Sequence, residues 1–223
     1  MTYLGVAKAA VAGAVAAGVA MASPAAAQGC TRDTLQGIAD SYTKAQAEGS
    51  VFNLPIGEWL DYRENMEMSS SATGVLGTPR EFAWTSKLLD PAQCKVFVEG
   101  VILAPEPYVL ATVVNNGFFG VNQISTVIGS GDAAAVLAQA KAEDWSEIAE
   151  GSRATRQALI AAADAELDKA ATAIVDRSYV VDEARGAVGV FGRIGTLEGR
   201  ATSHVFRFAN GAVRHHRESQ AKQ

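Results

Sequence analysis

Residues 31–40 read TRDTLQGIAD and residues 155–164 read TRQALIAAAD. Thr, Arg, Leu, Ala and Asp stand at the same places in both stretches. After the first, Leu35, Ile38, Ala39, Tyr42 and Ala45 recur at helical spacing, so an amphipathic helix capped by Thr31 should run to about Gly49. In the second, Ser152 is the expected cap, and Leu159, Ala163, Leu167 and Ala170 form the apolar stripe of a helix of about five turns. Each helix is followed by strand-like runs, and each series closes on Asn-Gly between two such runs, Asn116-Gly117 and Asn210-Gly211. That pair is the strongest short-range hairpin signal.

Working outward, strands are expected near 58–68, 95–103, 107–115 and 118–128, then near 176–183, 186–194, 202–209 and 212–218. Residues 132–142 are Ala-rich and helix-prone, and lead into Asp144-Trp145-Ser146. No low-complexity linker separates the halves. The expected fold is therefore α+β: two tandem units, 28–142 and 143–223, each a helix plus a curved antiparallel sheet, the second shortened. With 223 residues, 48% of them apolar, there is material for a sizeable core.

Composition narrows the partners. A net charge of −5 without a Lys/Arg face argues against nucleic acid. Arg214, His215, His216 and Arg217 sit among strand-like residues and read as a solvated edge strand. Residues 1–27 read as a signal peptide, with Lys8, an uncharged Ala/Val run over 9–22, and the small-residue cleavage signal Pro24-Ala25-Ala26-Ala27. The run is too short to span a bilayer, so the product is expected in the periplasm or secreted. In such a compartment two cysteines, Cys30 and Cys94, most often pair. The alternative is a lipoprotein acylated on Cys30.

Several segments carry a family resemblance: Cys30-Thr-Arg-Asp-x-Leu, Ala39-Asp40-x-Tyr42, Tyr62-x-Glu64-Asn65, Glu143-Asp144-Trp145-Ser146, Tyr179-Val-Val-Asp-Glu183 and Ser203-His204-x-Phe-Arg207. The chain resembles a family of secreted, mostly fungal proteins of unassigned function. That resemblance implies a partner cysteine in the region of Cys94, which supports the bridge. The helix-then-sheet units are similar to the SnoaL-like, nuclear-transport-factor-like cone fold, in which a bent sheet and helices enclose a pocket. Family members carry a Gly/Pro-rich, cysteine-containing insertion after the second helix; here Ala171-Thr172-Ala173-Ile174 runs almost straight into Asp176.

One carboxylate stands out. In a strand over 60–68, Leu60, Tyr62, Glu64, Met66 and Met68 would share one face and Asp61, Arg63, Asn65 and Glu67 the other. Glu64 would then sit on an apolar face, where burial disfavours the ionised form and tunes a carboxyl for general acid or base work. Tyr62 could donate to a substrate oxygen, and His204, among Phe206 and Phe208, suits proton transfer. Asp40, late in the first helix, would sit at the pocket mouth. Two functions follow. One is a cofactor-free lyase, dehydratase or isomerase, similar to scytalone dehydratase and polyketide cyclases, with Glu64, Tyr62, His204 and Asp40 as its acid/base residues. The other is a non-catalytic module that binds a small apolar molecule or pairs subunits as a homodimer. No metal or other cofactor is called for: the three histidines lack metal-ligand spacing, and no Gly-x-Ser-x-Gly elbow or phosphate loop is present. Convergence of Glu64 and His204 to within about one water separates the two.

Overall fold

Thr31 and Thr155 do the same local work in the computed structural model, which describes residues 30–129 and 131–222. The expected 1–27 leader lies outside them. The Thr31 hydroxyl accepts the Thr34 N–H and caps α1 (Arg32–Glu48); the Thr155 hydroxyl accepts the Ala158 N–H and caps α3 (Arg156–Leu167). Gly49 ends α1 in the left-handed conformation at φ 64°, which glycine adopts without a Cβ penalty. α3 is shorter than its stripe predicts. Its cap is Thr155 rather than Ser152, which closes a short 3-10 turn, and Ala170 lies exposed beyond its end. A further helix, α2 (Ala133–Ala142), starts where the Asp132 carboxylate accepts two backbone N–H groups.

The strands form two sheets. The first has the order β2-β1-β6-β5-β4-β3, from β1 (Ile56–Glu64), β2 (Glu67–Met68), β3 (Trp84–Asp90), β4 (Lys95–Ile102), β5 (Tyr108–Gly117) and β6 (Gly120–Gly129). The second has the order β10-β9-β8-β7, from β7 (Ile174–Asp182), β8 (Ala187–Ile194), β9 (Ala201–Ala209) and β10 (Ala212–Gln220). The chain is thus a mixed α+β structure. Four expectations need correction. The first hairpin turns at Phe118-Phe119, and Asn116-Gly117 is the paired end of β5 rather than the turn. β3 was not foreseen. β1 runs parallel to β6, so the first sheet is not wholly antiparallel. The run 58–68 is no single strand: Asn65 and Met66, at φ 52° and 66°, make a tight two-residue turn and β2 folds back on β1. Met68 is consequently exposed, and Met66 packs on the opposite side of the sheet from Tyr62.

Side-chain alternation then sets four layers. Leu89, Val96, Val98, Val114 and Ile124 face α1. Their neighbours Leu88, Phe97, Ala111 and Val127 face the second sheet, meeting Val180, Ala187, Phe191 and Val205. The outer face of that sheet, with Val188, Val190, Phe206 and Phe208, packs under Leu159, Ala163 and Leu167 of α3. Each fully buried side chain of this size contributes roughly 1.5–3 kcal/mol. β3 to β6 and β7 to β10 follow the same strand order, each beneath the helix that opens its half.

The halves are clamped reciprocally. Arg32 of the first Thr-Arg pair donates to Asp182 at 2.7 Å, and Arg156 of the second donates to Asp90 at 2.6 Å. Asp182 also accepts the Leu89 N–H, and Asp90 the Val181 N–H. Both aspartates have fully buried side chains at the ends of equivalent strands, Leu88-Leu89-Asp90 and Val180-Val181-Asp182. Cys30 and Cys94 are joined in a disulfide across a sequence separation of 64, which ties the start of α1 to the β3–β4 turn. Among the described residues no helix is long and apolar enough to cross a membrane.

Candidate functional site

Alternation along β1 puts Tyr62 under α1, 3% exposed, with Glu64 beside it. The structure does bring these two together. The Tyr62 hydroxyl donates to Glu64 Oε1 at 2.8 Å, the Ser69 hydroxyl donates to Oε2, and the Val75 N–H makes a short bond to Oε1. Gly74 allows that approach, since a Cβ there would lie 2.2 Å from Glu64 Oε1. Burial, and then the bond to Glu64, pushes the Tyr62 phenol well above its ordinary range. With three donors on it, Glu64 is a satisfied carboxylate that pins the 70–78 loop onto β1. It still borders an open cleft of about 340 Å³ with Arg80, Tyr108 and Lys222. The space between α1 and its sheet, where a cone would hold ligand, is filled by side chains. Tyr42 bonds Thr112 at 2.7 Å, Thr112 bonds Thr126 at 3.0 Å, and the Gln46 amide donates to Val75 O and Thr78 O.

Asp40 and His204 stand elsewhere. Asp40 is exposed on α1, ion-paired with Lys87, whose hydrogen bond holds the carboxyl below its usual range. His204 lies on the α3 side of the second sheet, with two sheets between it and Tyr62. Its ring nitrogens meet the Thr202 hydroxyl and His216 Nε2, each at 3.2 Å, and it stacks with Phe206 and His216. Burial lowers its pKa from 6.5 to about 4. It neither shares a hydrogen-bond partner with Glu64 nor borders the same cleft among the described residues.

A different constellation forms where α2 closes one end of the inter-sheet layer. The Arg217 guanidinium lies between the indoles of Trp84 and Trp145, 5.0 and 4.8 Å from their centroids. It donates through Nε to Glu99 at 2.8 Å and is ion-paired with Glu143, which also accepts the Trp145 N–H at 3.0 Å. The side chains of Arg217, Glu99 and Glu143 are 2%, 4% and 5% exposed, so this is a buried charge triad. Against it opens a seam cleft of about 560 Å³ between the halves, edged by Trp84, Ser86, Lys87, Lys141 and Arg185. Lys141 has no partner among the described residues, and nothing there accepts from the buried Nε of Arg185. The cleft is therefore polar and carries spare positive charge at its rim.

Sequence reasoning read Arg217 as part of a solvated edge strand. β10 is an edge strand, but Arg217 points inward from it, while His216 on the opposite face is exposed. One signal was available: Glu99 interrupts Val96-Phe97-Val98 and Val101-Ile102, a run apolar on both faces, and such a carboxylate needs a buried cation. Glu143-Asp144-Trp145-Ser146 stood out only through resemblance.

Residues 166–219, from the end of α3 through most of β10, match the profile of a domain of unknown function, DUF8021. No curated protein and no solved structure matches the chain.

Proposed function

We propose that this protein is an exported, non-catalytic binding module made of two SnoaL-like units, which holds a small polar acid in the seam cleft between them. One observation carries the choice over a lyase or isomerase: Glu64, Asp40 and His204 occupy three separate places, each occupied with partners from its own chain. Proton transfer between pocket groups needs them within hydrogen-bond reach of one substrate. The repeated helix-over-sheet order supports the tandem-unit reading, and the disulfide supports an oxidising compartment. The filled interior of the first unit turns the expectation of an apolar ligand toward the polar seam. At about 560 Å³ the cleft has the volume of a small-molecule site. Lys141 and Arg185 supply charge for an acid, and Ser86 a hydroxyl. The test is titration calorimetry with glucuronate and citrate as probes. Saturable binding of either, weakened about tenfold or more in Lys141→Met, is expected from the loss of one charged contact. Absence of binding by both, or turnover of a substrate abolished by Glu64→Gln in a folded protein, would overturn the reading.

A further inference from the structure

A second cleft, of about 270 Å³, opens at the end of the inter-sheet layer remote from α2. It is built by a chain of oriented polar groups. Arg63 Nε donates to both oxygens of Asp61 at 3.0 Å, and Asp61 in turn accepts the Gln123 Nε2 amide at 3.0 Å. Gln123 must therefore present Oε1 to Asn115, whose Nδ2 donates to it. The relay, across β1, β6 and β5, leaves Asn115 Oδ1 as the end group, a buried acceptor without a donor among the described residues. A buried acceptor in that state is costly unless something donates to it.

The opposite wall is shaped by a bulge in β7. The β7–β8 register breaks between Val175 and Ser178, and Ile174 and Tyr179 face α3 together although one position is even and the other odd. The extra residue is Asp176, in the left-handed region at φ 53° and on the cleft's edge. A bulge that re-aims a strained side chain at a cavity is a device of binding sites.

Charge then selects the ligand. Arg63 is neutralised by Asp61, and Arg193 by Glu67 at 2.6 Å. Lys95 and Asp176 border the same cleft, and neither has an ion pair or hydrogen bond among the described residues. Between them lies an apolar floor of Met66, Val113 and Phe191. One spare cation, one spare anion and an orphan acceptor over an apolar floor complement a small zwitterion with an apolar tail. We propose that this cleft binds an apolar α-amino acid: carboxylate to Lys95, ammonium to Asp176 and Asn115 Oδ1, side chain on the floor. The site is separate from the seam cleft and does not depend on it.

The experiment is titration calorimetry of the disulfide-intact chain with L-leucine and L-phenylalanine, and with hydrocinnamate and phenethylamine as analogues lacking one charge each. Saturable one-to-one binding of at least one amino acid is expected, with both analogues tenfold or more weaker. Lys95→Met and Asp176→Asn should each cost about tenfold, the worth of one charged hydrogen bond. Asparagine tolerates the left-handed backbone at 176, and both side chains project from the core, so both variants should fold. Lys141→Met in the seam should leave amino-acid binding unchanged. No saturable binding of either amino acid, hydrocinnamate binding as well as phenylalanine, or indifference to both cleft substitutions would overturn the proposal.

Discussion

Replacing Asp182 by asparagine tests how the halves are held. Its carboxylate accepts Arg32 Nη1 at 2.7 Å and Nη2 at 3.2 Å, the Leu89 N–H at 3.1 Å and the Arg185 N–H at 3.3 Å. Its side chain is fully buried, whereas that of Arg32 is 31% exposed. Asparagine keeps the shape and one acceptor oxygen, but removes the charge and turns an NH2 donor toward other donors. A hydrogen bond to a charged group is worth about 1.5–3 kcal/mol. Water regains part of the partly exposed Arg32, which discounts its share. A buried pair broken on one side typically loses 3–5 kcal/mol, so a loss of about 3 kcal/mol is expected, at the low end. For a chain of this size that lowers Tm by roughly 6–12 °C. Urea denaturation followed by circular dichroism and tryptophan fluorescence measures it, since Trp84 and Trp145 report from the seam. Asp90→Asn should match it from the other side through Arg156 and the Val181 N–H. A loss below about 1 kcal/mol for Asp182→Asn would refute the clamp as a determinant of stability.

Glu64→Gln should lower stability by about 1–3 kcal/mol, because a glutamine oxygen cannot satisfy all three donors of Glu64; a thermal melt reads this. His204 gives a pH dependence. Above about pH 6.5 the imidazole is neutral in folded and unfolded chains and stability is complete. Between 6.5 and about 4 the unfolded chain binds a proton that the buried ring resists, so stability falls with pH, by on the order of 3 kcal/mol in full. Glu218, directly opposite on β10, softens this loss, while His216 and Arg177 deepen it. Urea midpoints across that range should slope more steeply for the parent chain than for His204→Gln; equal slopes would remove His204 as the cause. Cys30→Ser should cost roughly 3–4 kcal/mol by denatured-state entropy, and reducing the parent chain should reproduce it in urea melts.

Local chemistry determined the helices, the cap at Thr31 and the second hairpin of this protein, and the expected export compartment pointed to the cysteine pairing. Thr31, Asp132 and Asn210-Gly211 act through bonds within a few residues, and the Thr-Arg repeat marks equivalent helix starts; the first hairpin turns instead at Phe118-Phe119, two residues past Asn116-Gly117. Alternation also put Tyr62 and Glu64 side by side. It failed at Asn65-Met66, where two non-glycine residues take the left-handed turn, and the β7 bulge at Asp176 likewise leaves no glycine to mark it. Tertiary structure alone decided the rest. Arg32 with Asp182, Arg217 with Glu99, and the Asp61-Gln123-Asn115 relay join residues far apart in the chain. A buried ion or orphan amide finds its partner through sheet order and the packing of one sheet on another, and no local period encodes that. Glu64 and His204 both look inward from the sequence, but two sheets have four faces, and only their stacking showed that these residues occupy opposite outer ones.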